Sequence, residues 1–272
     1  MKSFIPICLT IAVVLSACQP KQSEIIVPCD STKPYKLSWS EEFNYSGLPD
    51  TSIWVYEEGY IRNDEKQYYT KGRPENVRVE DGALVIESRK EPFEGFAYTS
   101  GSINTLGKVE FPVNSRMEIR AKLPSGKGIW PAIWCMGTDI EKVDWPKCGE
   151  IDIMEFVGHT PGIIWGTFHW LDTDSAFHRY LGDSIAISGI HSDYHVYGVE
   201  RTADQLSFFV DNNYYYTFNN LSTVEKDLFK KPFYLLINTA IGGGWGGEID
   251  STIFPQKFYV DWVRVFEIPD RK

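Results

Sequence analysis

The chain of 272 residues is short of positive charge: 27 Lys and Arg stand against 37 Asp and Glu, a net charge of −10. That balance argues against recognition of nucleic acid or of an anionic membrane through a basic face. Histidine is scarce, with five in all. None stands in an H-E-x-x-H or comparable spacing, which argues against a catalytic transition metal. Of the five cysteines, Cys8 and Cys18 lie in the N-terminal segment. Cys29, Cys135 and Cys148 remain, an odd number that makes no disulfide framework. No spacing rule supports a Cys135–Cys148 bridge, and burial as core thiols is the expectation. After residue 17 no run approaches the roughly 18 apolar residues of a membrane helix. Internal repeats, low-complexity stretches and long helical periodicity are missing as well.

Aromatic residues are plentiful. Nine Trp, fifteen Tyr and sixteen Phe exceed what a core of this size usually needs. Together with the acidic balance they suit a neutral partner that offers flat faces to rings, which is the chemistry of carbohydrate. Hydrophobic residues make up 43% and charged residues 24%, a globular balance that excludes disorder. The length suits one large all-β domain.

The chain begins with Met1-Lys2 and an apolar run from Phe4 to Leu15, too short to span a bilayer but suited to a signal-peptide core. The run ends in Leu15-Ser16-Ala17-Cys18, which resembles the bacterial lipobox, where the signal is removed and the new N-terminal cysteine is acylated. Residues 1–17 are therefore read as a lipoprotein signal, and residues 18–34 as lipidated Cys18 followed by a polar, Pro-containing tether. Residues 35–268 form the domain. The expected protein is an extracytoplasmic, monomeric bacterial lipoprotein at the outer membrane or cell surface.

From Tyr35 onward the signals are those of strands. Val77–Glu80 and Ala83–Glu87 flank Asp81-Gly82, a favoured two-residue hairpin turn. Arg116–Leu123 and Tyr194–Glu200 alternate polar and apolar residues. Leu206–Val210 and Tyr214–Phe218 flank a second turn at Asp211-Asn212-Asn213, and Phe233–Asn238 and Lys257–Phe266 complete the series. Glu225–Lys230 reads as one short helical turn. Many short strands with Gly/Pro-rich turns indicate a β-sandwich or jelly roll.

The informative segment is Glu150-Ile-Asp152-Ile-Met-Glu155. Residues two apart in a strand share a face, so Glu150 and Asp152 point one way and Ile151 and Ile153 the other. Glu155, five residues from Glu150, falls on the wrong face of a regular strand. A β-bulge around Met154 returns it to the face of the other two acids. Three crowded carboxylates must raise at least one pKa, as a general acid near neutral pH requires. Just upstream, Trp130 and Trp134 lie four apart, on one side of an extended segment. Each suits core packing or sugar stacking; beside the acids they give the layout of a retaining glycosidase.

Glu150–Glu155, together with GRPENVRVEDGALVIES (72–88), YTSGSINTLGKVEF (98–111), GKGIWPAIW (126–134), WGTFHW (165–170), YHVYGVE (194–200), LINTAIGGGWGG (236–247) and FPQKFYVDWVRVFE (254–267), resembles glycoside hydrolase family 16, the laminarinase and licheninase group. The extra residue in the acid motif resembles the bulged branch of that family. The resemblance covers nearly all of residues 36–267. It implies a concanavalin-like jelly-roll β-sandwich with a concave substrate cleft. It also implies retaining endo-hydrolysis of β-1,3-containing glucans, either mixed-linkage β-1,3/1,4-glucan or laminarin. By position it implies Glu150 as nucleophile, Glu155 as acid/base and Asp152 as helper. Trp130 and Trp134 match sugar-stacking residues, and His169 a histidine close to the acid/base. Asn63 and Arg89 match polar residues that grip sugar, although either serves equally as a loop or surface residue. Trp245, in a Gly-rich loop, is placed at the cleft edge.

No cofactor is implied for catalysis. A structural calcium is implied at the backbone oxygens of Glu42 and Gly82 and the carboxylate of Asp261; a purely structural hydrogen bond is the other reading of Asp261. One residue departs from the family: after Val199-Glu200 it usually has Trp, where this chain has Arg201, which either alters a cleft contact or replaces packing. Two other readings remain, a galactan hydrolase of the agarase or carrageenase kind and a non-catalytic glycan-binding lipoprotein.

Overall fold

The computed structural model describes residues 35–172, 174–221 and 228–269. Their strands are, in order, β1 Lys36–Glu41, β2 Val55–Tyr56, β3 Gln67–Tyr69, β4 Val77–Glu80, β5 Ala83–Phe93, β6 Phe96–Ser100, β7 Ser102–Asn104, β8 Ser115–Lys122, β9 Ile129–Gly137, β10 Glu150–Glu155, β11 Ile163–Asp172, β12 Phe177–Ala186, β13 His195–Arg201, β14 Gln205–Val210, β15 Asn213–Asn219, β16 Phe233–Ile241 and β17 Gln256–Glu267. Among the described residues the named helical elements are short turns, Ile140–Val143, Gly243–Gly246 and a 3₁₀ turn at Leu228–Lys230. No helix among the described residues is long and apolar enough to cross a membrane.

The strands form two open sheets. A seven-stranded sheet runs β12-β11-β10-β9-β16-β7-β2. A ten-stranded sheet has the path β15-β14-β13-β8-β17-β5-β6-β3, with β1 added to β17 and β4 to β5. Alternation decides which face of each sheet is buried. Ile129, Ile133 and Cys135 on β9, Ile151 on β10, Ile164 and Phe168 on β11 and Leu235 and Ile237 on β16 pack into one core. Met117, Ile119, Val199, Phe208, Val263 and Val265 of the other sheet meet them there. The opposite face of the seven-stranded sheet carries the polar and indole side chains of a cleft. This is the jelly-roll sandwich expected from the strand pattern.

Both hairpins close as two-residue turns whose central residues have positive φ: Asp81 (52°) with Gly82 (75°), and Asp211 (50°) with Asn212 (65°). Turns of this hand match the twist of the flanking strands. Asn213, expected in the second turn, is the first residue of β15. The short helical turn expected over 225–230 is seen at Leu228–Lys230, and 225–227 lie outside the described residues. The lipobox with Cys18, the tether and Cys29 also lie outside them. Cys135 and Cys148 are buried free thiols.

Candidate active site

β10 is where the strand pattern breaks. Against β9 its register runs Glu150↔Met136, Ile151↔Cys135 and Asp152↔Trp134, then resumes at Met154↔Ile133 and Glu155↔Ala132. Ile153 is the extra residue of a β-bulge. Ile153 and Met154, consecutive in sequence, are both buried in the core. Glu155 thereby returns to the face of Glu150 and Asp152. On the other side β11 sets His169 opposite Glu150, Thr167 opposite Asp152 and Trp165 opposite Glu155.

Two of the acids have an indole donor, while Asp152 Oδ2 is buried without a hydrogen bond. Trp145 donates its indole N–H to Glu150 Oε2, and Trp130 donates its own to Glu155 Oε1 at 3.0 Å. Asp152, 2% exposed, has His169 Nε2 3.0 Å from its Oδ2. Burial pushes the Glu155 carboxyl well above the usual range, and the charge of Asp152 adds to this. Burial also raises Glu150 well above that range, followed by the charge of Asp152, a hydrogen bond with it and the charge of Glu155. Three carboxylates this close hold at least one proton near neutral pH. The cluster therefore offers a proton donor and an anionic oxygen on one open face.

Glu150, Asp152 and His169 present their polar atoms within 4.8 Å of one another. They make a poor metal centre, because both imidazole nitrogens are engaged: Nε2 by Asp152 and Nδ1 by His178 Nε2 at 2.9 Å.

Aromatic rings frame the acids. Trp245 stands edge-on to Trp130 (5.6 Å between ring centres) and to Trp165 (5.9 Å), which closes a box of indoles around Glu155. Trp134 hydrogen-bonds Asn238 Oδ1 at 2.8 Å, and the Arg62 guanidinium lies 5.0 Å from its ring centre. Trp130 and Trp134 are only 9% and 6% exposed; they line the cleft floor rather than offering open faces. The exposed rings near the acids are Trp145 (45%) and Tyr180 (66%).

The other sequence-derived candidates separate. Asn63 is exposed, with positive φ (58°). It adjoins the Trp245 loop, its carbonyl accepting from Gly244 N at 2.8 Å, and its side chain reaches buried Glu65 at 3.3 Å. Arg89 is not brought to the acids: it sits on β5 of the ten-stranded sheet, paired with Glu87 and Glu91. The arginine that reaches the cleft floor is Arg62, held by Glu57. Arg201 is buried on β13. It donates to the carbonyls of Phe229 (3.2 Å), Lys231 (2.9 Å) and Phe111 (2.8 Å) and lies over the Phe233 ring, so it replaces packing. Burial pushes its guanidinium down to about 10.

Sequence reasoning missed Arg62, Trp145, Trp165 and His178. Trp165 was findable, since it alternates with Thr167 and His169 on one strand face. Arg62 and Trp145 lie on irregular segments, where spacing carries no facing information.

Residues 64–264 match the profile of Glycosyl hydrolases family 16. The chain is 44% identical over 249 residues to a beta-glucanase of Rhodothermus marinus, with 87% of each covered. Its structure resembles the X-ray structure of the laminarinase from Rhodothermus marinus, with a TM-score of 0.80, 42% identity, and 88% of this chain and 99% of that chain covered. The laminarinase from Flavobacterium sp. UMI-01 gives a TM-score of 0.76, 42% identity, and coverage of 85% and 100%.

Proposed function

The chain belongs to glycosyl hydrolases family 16, and from that premise we propose that it is a retaining endo-β-glucanase acting on β-1,3-containing glucans, mixed-linkage β-1,3/1,4-glucan or laminarin. The observation that carries the reading is the bulge at Ile153, which turns Glu150, Asp152 and Glu155 onto one cleft face among indoles. A binding module gains nothing from three carboxylates whose crowding costs stability.

In the first displacement a Glu150 oxygen attacks the anomeric carbon while Glu155 gives its proton to the departing glycosidic oxygen. One C–O bond breaks and one glycosyl ester forms. Glu155, now anionic, takes a proton from water, which opens the ester and releases Glu150. Two inversions restore the starting configuration. Asp152, on the same face, accepts a hydrogen bond from Glu150 only while that carboxyl holds a proton, and its charge favours the protonated form of Glu155 that the first step needs. Trp130 holds Glu155 in place, and Trp134 and Arg62 form the floor on which sugar rests.

Digestion of mixed-linkage glucan, laminarin, lichenan, cellulose and agarose, with products sized, tests the reading. Oligosaccharides from the first three with agarose intact are expected. Agarose products would favour the galactan reading, and no products from any would favour glycan binding.

The same reading includes a structural calcium. The edge of β17 passes from β5 (Val260↔Leu84) to β1 (Val263↔Glu41) around Asp261. Two backbone oxygens and a carboxylate suit a hard cation; the Asp261 carboxylate also pairs with Arg120 through Oδ2, the contact expected of its purely structural reading. The Glu42 carboxylate is committed to Arg264 through both oxygens, 2.9 Å each, which leaves its backbone for the role. The reading also retains Leu15-Ser-Ala-Cys18 as a lipid anchor that holds a monomer at the outer membrane. On that reading Cys18→Ala releases the active domain from the membrane fraction.

A further inference from the structure

Beyond the acids, a second imidazole stands in line with the first. His169 Nδ1 and His178 Nε2 are 2.9 Å apart, the rings are 15° from parallel and their centres 5.1 Å apart. The N–N contact plus the short distance from each nitrogen to its ring centre accounts for nearly the whole separation. The rings therefore meet edge to edge, in the geometry of an N–H···N hydrogen bond, and not face to face. His169 Nε2 in turn contacts Asp152 Oδ2 at 3.0 Å. Strand register builds the line: His169 lies opposite Glu150 on β10 and opposite Tyr180 on β12, with His178 two residues before Tyr180. Trp145, which donates to Glu150, packs on the His178 ring at 4.7 Å, and Tyr180 flanks it at 6.0 Å.

We propose that His178 is a positioning residue for hydrolysis: its Nε2–H donates to His169 Nδ1 and so fixes His169 as the tautomer that turns Nε2–H towards Asp152 Oδ2, a buried oxygen with no other donor. This rests on the catalytic reading above. A neutral imidazole has one donor nitrogen and one acceptor nitrogen, and a carboxylate oxygen can only accept. Set 3.0 Å from a carboxylate oxygen, His169 Nε2 is the ring nitrogen suited to carry the proton, which leaves Nδ1 as an acceptor in need of a donor. His178 Nε2 is the group placed to supply one. Burial, and then the neighbouring His169, hold the His178 imidazole below its ordinary range, which favours the neutral ring the relay requires. The other titratable groups around Asp152 are Glu150 and Glu155 on its own strand, Tyr180 beyond the imidazoles, and the buried Cys135 thiol beneath. None of them donates to His169 Nδ1 among the described residues. Without His178, His169 is free to take the other tautomer, which would set two acceptors against each other at Asp152.

Two variants separate hydrogen bonding from packing. His178→Phe keeps a ring against Trp145 but has no donor, and His178→Gln restores an N–H at similar reach. For His178→Phe the account expects kcat on the preferred glucan to fall roughly tenfold, the rate equivalent of one hydrogen bond to a charged group, with KM little changed. The acid limb of kcat/KM moves to higher pH, because anionic charge on the cluster has lost a donor. His178→Gln recovers most of both. In the wild-type protein, ¹⁵N signals of His169 report the Nε2–H tautomer, and in His178→Phe they report a mixture. Wild-type kcat, pH profile and His169 signals in a folded His178→Phe would overturn the proposal. Glu150→Ala, assayed alongside, keeps the two readings apart. If it is inactive while His178→Phe behaves as wild type, only the relay fails; if it is active, the catalytic assignment fails.

Discussion

The indole N–H of Trp130 points at Glu155 Oε1 from 3.0 Å, across a strand pair in which Glu155 lies opposite Ala132. The donor favours the anion, while burial and Asp152 favour the acid and prevail, so the Glu155 carboxyl is raised.

A raised carboxyl pKa has a stability consequence. Between the ordinary glutamate range and its own raised value, folded Glu155 binds a proton that the unfolded chain has released. Stability therefore falls as pH rises through that window. Glu155→Gln removes the charge and keeps an acceptor for Trp130. Its melting temperature is expected to exceed the parent's by about 3 °C at neutral pH, with the gain shrinking towards pH 4. A gain independent of pH, or a loss, in scanning calorimetry would contradict the raised pKa.

Removing the Trp130 donor acts on the same group from the other side. Trp130→Phe keeps a ring against Trp245 but withdraws the N–H, so the Glu155 pKa climbs further. The alkaline limb of kcat/KM, set by loss of the Glu155 proton, is expected to move to higher pH. An unmoved limb in a folded variant would show that the indole does not tune the acid.

Trp134 is both floor and core. At 6% exposure, Trp134→Ala is expected to cost about 3–5 kcal/mol of stability, so lost activity in that variant alone proves little. Trp134→Phe keeps an aromatic face under Arg62 and loses only the bond to Asn238. It is expected to fold, to raise KM for glucan several-fold and to leave kcat nearly intact. Unchanged KM would remove Trp134 from the sugar path.

The proposed calcium is testable without any assay of activity. Chelation should lower the melting temperature of the wild-type protein by several degrees, and Asp261→Asn should abolish most of that sensitivity. A melting temperature indifferent to chelator would dismiss the site.

The fold was legible because strand pattern and turn chemistry agree: the alternating Val77–Glu80 and the apolar run Ala83–Ile86 flank Asp81-Gly82, a pair that favours a two-residue hairpin turn. The bulge was legible because Glu155 sat one residue out of phase with two other acids. What the sequence did not show lies where chain direction changes without periodicity. Arg89 was named because its position resembles a sugar-gripping residue of the family, yet its strand belongs to the other sheet and its guanidinium pairs with Glu87 and Glu91. Arg62 reaches Trp134 from an irregular segment. The exposure of Trp130 and Trp134 was equally hidden, since alternation gives a side chain's face but not what covers it. Here Trp245 and Arg62 cover them. His178 escaped notice because its partner lies across a strand pair, nine residues away in sequence.

The roles of the two glutamates are tested most directly by azide rescue with an activated aryl β-glucoside whose leaving group needs no proton. Glu155→Ala retains its nucleophile and can form the glycosyl ester, but no base activates water, so azide completes the turnover. Two inversions then give the β-glycosyl azide, recognised by its anomeric proton signal in NMR. Glu150→Ala has no nucleophile, so azide can only displace directly and give the α-azide. The account predicts the β-azide from Glu155→Ala and not from Glu150→Ala; the reverse pattern, or an inverted sugar from the wild-type enzyme, would contradict it.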